Sequence, residues 1–190
     1  MKKSASILTV ISFLLTAHAE SIVWNKDNDF NNWRHFFNVS GKIENGFIKL
    51  TGIKFDPQMS NRAVTIDPKN FDTLVYTCKV TGPGPKKTGE FYFWQTGSKA
   101  NPRQSWQLPE LICDGEFHTY SVRPADLTTW LECGTVSGIR LDITNSAGGT
   151  IEIQEIRLEK SSTATSGTKD IPALVWNKEN NFKPMRHSSS

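Results

Sequence analysis

The chain has 190 residues with 22 Lys and Arg against 19 Asp and Glu, a net charge of +3. If a 19-residue leader is removed, 20 basic and 19 acidic side chains remain, a net charge of +1. That balance argues against a nucleic-acid partner, which requires a concentrated basic surface. The remaining length suits one domain of ordinary size with a substantial core.

The first 19 residues have the pattern of a signal peptide. Lys2 and Lys3 precede a mostly apolar run at residues 7–15, and an Ala-His-Ala cleavage site ends at Ala19. The apolar run is too short to span a membrane, and the alternative is a buried N-terminal helix. We therefore expect a mature chain that begins at Glu20 and is secreted or held at the cell surface, in a periplasmic or extracellular setting.

Three cysteines follow the leader, and an odd number cannot form a closed set of disulfides. Cys113 and Cys133 flank a predicted strand, and these two can pair in an oxidising compartment. The alternative is three unpaired thiols, at least one of them packed as a small apolar side chain.

Short β-type segments separated by turn sequences fill the body of the chain, and no window shows a sustained helical period. The predicted strands are residues 47–50, 63–66, 73–80, 90–95, 117–122, 138–143 and 150–158. Asn-Gly, Asp-Gly and Gly-Gly pairs at 45–46, 114–115 and 148–149 are typical of antiparallel connections. The pattern predicts an all-β antiparallel β-sandwich or jelly roll in residues 20–160.

The C-terminal part of the sequence contains a repeat. Residues 161–173 are rich in small polar side chains and are predicted to be a linker. Residues 174–187, LVWNKENNFKPMRH, then repeat residues 22–35, IVWNKDNDFNNWRH. Residues 174–190 are either the start of a second module, of which this chain holds a fragment, or an isolated remnant.

The ordered segments TIDPKNFDTLVY, EFYFWQT, DGEFHTYSV, GIRLDI and GGTIEIQEIRL carry a family resemblance over residues 22–160. The chain resembles the galactose-binding-like jelly-roll domains, a fold shared by many non-catalytic carbohydrate-binding modules of secreted bacterial multidomain proteins. The resemblance implies a module that binds a polysaccharide or glycan and performs no catalysis.

The resemblance to these modules is incomplete at one place, where related domains often hold a structural calcium ion through an aspartate of the last strand. Here Gln154 offers at best a neutral carbonyl oxygen, and strand alternation places Glu155 on the opposite face. A calcium ion is therefore possible but not supported, and no cofactor is expected.

Aromatic rings with nearby planar polar groups are the expected means of binding sugar. The predicted carbohydrate-binding residues are Tyr92, Trp94, Arg103, Gln104, Trp106 and Gln107. Trp94 is the first choice, unless both sheet faces are covered, and Trp106 is the second because it lies in a loop-like stretch. Trp33 is expected behind them. Trp130 is expected to fill a corner, and Arg140 and Asp142 to pack against neighbouring charges.

No recognisable catalytic constellation accompanies this pattern: HExxH, a nucleophile elbow and a phosphate-binding loop are all missing from the sequence. Two alternatives to glycan binding stay open. One is a structural or protein-interaction module of a cell-surface multidomain protein. The other is a small jelly-roll lyase or hydrolase, which requires convergent catalytic groups in a groove.

Overall fold

The structure, a computed structural model, describes residues 21–28, 30–82, 88–124 and 127–161. Its strands are β1 Ser21–Asn25, β2 Trp33–Phe37, β3 Ser40–Glu44, β4 Phe47–Thr51, β5 Gln58–Asn61, β6 Thr73–Thr81, β7 Glu90–Gln95, β8 Ser105–Gln107, β9 Phe117–Val122, β10 Val136–Asp142 and β11 Thr150–Glu159. A five-residue helix, α1, spans Leu127–Leu131, and two 3₁₀ turns span Phe30–Asn32 and Pro68–Asn70.

Two antiparallel sheets make up the domain. Sheet A has the order β3-β4-β11-β6-β9, and β1 also pairs with β11. Sheet B has the order β2-β5-β10-β7-β8. The inner faces of both sheets contribute buried apolar side chains to one cluster, as expected for two sheets packed face to face. The predicted all-β sandwich is confirmed.

Strand alternation explains which residues enter the core. In β6, Leu74, Tyr76, Cys78 and Val80 are all buried, the face that the sequence predicts. In sheet B, Phe91 and Phe93 of β7 are buried together with Ile139 and Leu141 of β10. Each such large apolar side chain stabilises the fold by roughly 1.5–3 kcal/mol relative to exposure.

Trp130 of α1 closes one end of the sandwich, as the sequence predicts. Its side chain is fully buried, and its Nε1 donates a hydrogen bond to the Pro68 carbonyl at 2.9 Å. Its ring lies edge-on to Phe93 at 4.7 Å and to Trp106 at 5.0 Å. Replacing Trp130 with alanine would empty this corner, a change that typically costs about 3–5 kcal/mol.

One predicted strand is wrong, and the strand beside it was not predicted. Residues 63–66 were expected as a strand, but only Ile66 makes a bridge, to Val136. The neighbouring polar stretch Gln58–Asn61 forms β5 instead, because it pairs between β2 and β10. Tertiary pairing here overrides the β-branched composition of residues 63–66.

Of the two alternatives for the cysteines, the Cys113–Cys133 disulfide does not form, because the thiol of Cys133 is free. Cys133 and Cys78 are buried, whereas Cys113 is exposed. Burial raises the pKa of the Cys78 thiol to about 12. Cys133 receives a weak hydrogen bond from Gln104 Nε2 at 3.6 Å. Burial of Cys78 and Cys133 matches the alternative in which cysteine serves as an apolar filler.

The last strand departs from strict alternation at Gln154. The pairing of β11 with β6 shifts register between Ile153 and Glu155, so Gln154 is the extra residue of a β-bulge. Gln154 is exposed, and Glu155 pairs with Arg157. Among the residues that the structure describes, no group of three His, Cys, Asp or Glu side chains is arranged to hold a metal ion.

The predicted signal peptide, residues 1–19, lies outside the described residues. The predicted linker does too except for Ser161, and so do residues 174–190 with the sequence repeat. These three assignments stay predictions.

Candidate functional site

The outer face of sheet B, defined by Glu90, Tyr92, Trp94, Gly138, Arg140 and Asp142, is the strongest candidate site. Strand register brings these residues together: Trp94 lies opposite Gly138, Tyr92 opposite Arg140, and Glu90 opposite Asp142. Because their neighbours on β7 and β10 point into the core, alternation directs all six away from it.

Trp94 lies flat against the backbone of Gly138. A Cβ atom built on Gly138 would come within 2.2 Å of the Trp94 indole ring, so only glycine leaves room for the ring in this position. The side chain of Trp94 is half-buried, which leaves part of the ring open to solvent. A partly exposed ring that is held by contact with the backbone is suited to stacking against a ligand.

Arg140 lies over the Tyr92 ring, with its guanidinium carbon 4.0 Å from the ring centroid. Its Nη2 also donates to Asp142 Oδ2 at 2.7 Å. The Arg140 side chain is 21% exposed and that of Asp142 only 6%. These contacts hold the guanidinium parallel to the surface in one orientation.

Two buried polar atoms on this face have no hydrogen-bond partner among the described residues, Arg140 Nε and Asp142 Oδ1. One is a donor and the other an acceptor, and they belong to side chains already joined by an ion pair. Trp33, Asn61, Tyr76 and Trp106 each have a buried polar atom in the same state, so the missing partners do not by themselves mark a ligand site. The part of this pair that a ligand can reach is the Arg140 side chain, which is 21% exposed.

Carboxylates surround this pair. Glu90 accepts hydrogen bonds from the Tyr92 hydroxyl and from Ser105 Oγ, the latter at 3.3 Å. Burial raises the pKa of Asp142 to about 7 against the opposing attraction of Arg140, and Asp56 and Glu90 raise the pKa further. Burial and the hydrogen bond to Glu90 also raise the pKa of the Tyr92 hydroxyl, so this group stays protonated.

The prediction that Trp106 offers an exposed ring is wrong. Ser105–Gln107 form β8, which pairs with β7, and this pairing turns Trp106 inward beside Phe91. Trp106 is 1% exposed. The polar residues on either side of it in sequence are typical of an edge strand with one solvated face. Trp33, also 1% exposed, lies in the core as well.

The other predicted site residues lie around the edge of the outer face of sheet B. Gln107 is exposed, and its Nε2 donates to Thr88 at 3.2 Å. Arg103 is exposed in the turn before β8. Gln104 is half-buried and accepts from Asn101 at 3.1 Å. The structure places Tyr92 and Trp94 on the same face, but Tyr92 is only 8% exposed and is covered by Arg140, so it does not offer the exposed ring that was predicted. Arg103, Gln104 and Gln107 lie in β8 and the turn before it.

The sequence pattern did not place Arg140 and Asp142 among the predicted site residues. Alternation along GIRLDI puts them on one face, and that signal was available in the sequence. The pairing of β10 with β7, which places Arg140 over Tyr92, depends on strand order and cannot be read from either segment alone.

A second depression lies on the outer face of sheet A, where β1 ends and β4 begins. It has a volume of about 500 Å³ and is lined mainly by polar groups, among them Asn25, Asp27, Asn45 and Glu155, with Phe47 at one side. Its charged groups are Lys26, Asp27 and Glu155, the last of which is paired with Arg157. The outer face of sheet B is the better candidate because it combines a partly exposed tryptophan with a guanidinium group held in place beside it.

Solved structures similar to this chain are carbohydrate-binding modules. A family 29 module matches with a TM-score of 0.52 and 11% identity, over 75% of this chain and 90% of that one. CBM86, described as a low-affinity xylan-binding module from Roseburia intestinalis, matches with a TM-score of 0.49 and 12% identity over 74% and 96%. A family 6 module of a Zobellia galactanivorans laminarinase matches with a TM-score of 0.44 and 13% identity over 74% and 100%.

The match to the family 29 module shows that this chain has the fold of a carbohydrate-binding module, as the resemblance in the sequence predicts. No protein-family model matches the sequence, and no curated protein matches it. Within the described part of the chain, no helix has the length and apolar character to cross a membrane.

Proposed function

We propose that this domain is a non-catalytic carbohydrate-binding module whose ligand lies on the outer face of sheet B. The observation that carries the proposal is the juxtaposition of a partly exposed aromatic ring with a guanidinium group held in place beside it. Trp94 supplies the ring, and Arg140, whose side chain is 21% exposed, supplies the guanidinium. A pyranose offers the matching surfaces, an apolar C–H face and hydroxyls at its rim.

The binding mode follows from the geometry. The sugar stacks on Trp94, and its hydroxyls accept from the exposed part of the Arg140 guanidinium. Arg140 is held in place by Tyr92 and Asp142, so little side-chain entropy is lost when it binds. Gln107 and Arg103 at the edge extend the contact along a polysaccharide.

This role fits a chain that leaves the cytoplasm. The predicted signal peptide supports a secreted or cell-surface protein. Attachment to a polysaccharide then raises the local concentration of whatever the module carries. The alternative, a protein-interaction module, is less well supported. An outer face without aromatic side chains would favour that alternative, but the outer face of sheet B presents Trp94.

The test is binding to a panel of polysaccharides, including xylan, glucomannan and β-glucan, by affinity gel electrophoresis and calorimetry. Trp94→Ala removes a stacking surface worth about 1.5–3 kcal/mol, so we expect affinity to fall roughly 10- to 100-fold. Phe117→Ala is the matched control, because Phe117 is an aromatic residue on the outer face of sheet A with 38% of its surface exposed.

Three results contradict the proposal. One is a protein that binds no glycan of the panel, and another is equal loss of affinity in both variants. The third is release of shortened oligosaccharides from a bound polysaccharide, because a non-catalytic module leaves its ligand intact.

A further inference from the structure

The sequence repeat copies the strand that completes sheet A. Residues 173–182 read ALVWNKENNF and residues 21–30 read SIVWNKDNDF. In the structure, residues 21–25 are β1, which pairs antiparallel with the second half of β11 from Ser21 opposite Glu159 to Asn25 opposite Glu155. The repeat therefore carries a second version of an element that the fold already contains.

Each inward-facing residue of this element has an equivalent in the repeat. Trp24 and Phe30 are both 3% exposed and lie in the core, and residues 176 and 182 are again Trp and Phe. Ile22 packs against the core and is replaced by Leu174, a change of shape at constant volume. The side chains that fill the position beside β11 are thus preserved.

The turn after β1 is preserved as well. Asn25 and Asn28 exchange two backbone hydrogen bonds, of 3.0 and 3.1 Å, and Asn25 Oδ1 accepts from the Asp27 amide at 3.0 Å. The repeat has asparagine at both corresponding positions, 177 and 180, and Glu179 in place of Asp27. An Asx turn depends on the first asparagine, so the repeat can form the same turn.

The correspondence ends before β2. Trp33 is 1% exposed and packs edge-on against Trp24 at 5.7 Å, but the repeat has Met185 at that position and Pro184 where Asn32 stands. An exchange of strands limited to residues 21–30 keeps the original Trp33 in place. It therefore preserves sheet B, including the candidate site.

The chain length allows the exchange within one molecule. β11 ends at Glu159, beside Ser21, and the copy of Ser21 is Ala173. Residues 160–172 separate them, which is ample for an antiparallel hairpin between neighbouring strands about 4.8 Å apart. β1 is held by a similarly short connection, residues 26–32, to β2. Both copies therefore reach β11 at high effective concentration.

We propose that residues 173–182 compete with residues 21–30 for β11 within one molecule, so that either copy can complete sheet A. The protein then tolerates damage or displacement of its N-terminal strand, which the second copy replaces.

Paired tryptophan variants of the mature chain, residues 20–190, test the exchange. Trp24→Ala alone should lower the thermal midpoint only slightly, because Trp176 takes its place. Trp24→Ala with Trp176→Ala should lower the midpoint by roughly 10 °C more, the effect of an unfilled core position. Met185→Ala is the matched control and should leave the Trp24→Ala protein unchanged, because the exchange stops before β2.

Fluorine NMR of 5-fluorotryptophan protein gives a direct readout, with the resonance of residue 176 assigned by its loss in Trp176→Ala. In the Trp24→Ala protein, this resonance should move to a buried, solvent-protected position. The proposal is overturned if the resonance stays solvent-exposed, if Trp24→Ala unfolds the chain regardless of residue 176, or if sedimentation shows that Trp24→Ala produces a dimer, which would place the exchange between molecules.

Discussion

The outer faces of the two sheets contain similar types of residue, but their charged and aromatic side chains are arranged differently. On sheet A, the charged side chains form two connected sets of ion pairs. One comprises Lys42–Glu44, Lys49–Glu44, Lys49–Glu152 and Lys79–Glu152, and the other Arg157–Glu155 and Arg157–Glu159. On sheet B, Arg140 and Asp142 pair with each other and still leave one buried polar atom each without a partner. The charges of sheet A are spread over several partly exposed pairs, whereas those of sheet B meet in one pair whose carboxylate is buried.

Aromatic residues show the same contrast. Phe47 and Phe117 on sheet A stack on each other at 5.5 Å, and Lys79 covers Phe117 at 4.9 Å from the ring centroid. Trp94 on sheet B packs on Gly138 and keeps part of its side chain exposed. A surface aromatic residue therefore indicates a binding site only when its neighbours leave the ring open.

The largest expected difference between the faces comes from removing an arginine from each. Arg140→Gln removes a charged donor, so we expect glycan affinity to fall roughly 10- to 100-fold, the value of a hydrogen bond to a charged group. Calorimetry against the polysaccharide that binds the native domain measures the loss.

Arg157→Gln is the control, because Arg157 also pairs with two carboxylates but lies on sheet A. The glycan affinity of the Arg157→Gln variant should match that of the native protein. Equal losses in the two variants would contradict the assignment of the ligand to sheet B.

A smaller effect is expected from Gly138→Ala. The added methyl group overlaps the Trp94 ring and forces it to move, at a cost of about 1–3 kcal/mol. Affinity should fall roughly 5- to 10-fold, with a shift in tryptophan fluorescence.

Gly41→Ala is a matched substitution in sheet A, where a Cβ atom would meet Phe36 at 2.2 Å. It should cost comparable stability without weakening glycan binding. If Gly138→Ala binds as tightly as the native protein, the position of Trp94 is irrelevant to recognition.

The pH dependence of sheet B follows from Asp142. Its pKa is about 7 in the folded chain against 3.8 ordinarily, because the carboxyl is buried. Between these values the folded state keeps a proton that the unfolded state has lost. Stability should therefore fall as the pH rises from about 4 to about 7, by up to ~1.4 kcal/mol per pH unit, and level off above 7.

Ligand affinity should rise over the upper part of this range, because ionised Asp142 holds the Arg140 guanidinium in place more strongly. Denaturant titrations and calorimetry between pH 4 and 9 check both trends. The Asp142→Asn substitution should remove both the fall in stability and the rise in affinity. An unchanged pH profile in that variant would assign the dependence to another group.

The smallest effect is expected from Lys79→Gln in sheet A. The Lys79–Glu152 pair is partly exposed, at 26% and 21% for the two side chains, so its loss should reduce stability by less than about 1 kcal/mol. Glycan affinity should not change. A substantial loss of binding would show that sheet A takes part in recognition.

The sequence predicted the fold better than the site because alternation is local whereas strand order is not. The alternation of Phe91 and Phe93 with Tyr92 and Trp94 correctly separated the core face of β7 from its outer face. Trp106 was misplaced because its strand is three residues long and only its pairing with β7 reveals which way it points.

The polar half of the candidate site needed the tertiary structure for a similar reason. Arg140 and Asp142 are 48 and 50 positions beyond Tyr92 in sequence, and antiparallel pairing places them beside it. Gly138 shows the same limit, since its role depends on the indole lying across it. Local patterns identify the faces of strands, and only pairing identifies neighbours.

The pairing of Ser21 with Glu159 places the first and last strand residues of the domain next to each other in sheet A. Chain can therefore be added at either end without crossing the outer face of sheet B. A domain with adjacent ends can be inserted into a larger protein, strung between others or circularly permuted with little change to its structure. Its recognition surface would stay accessible in each of these arrangements.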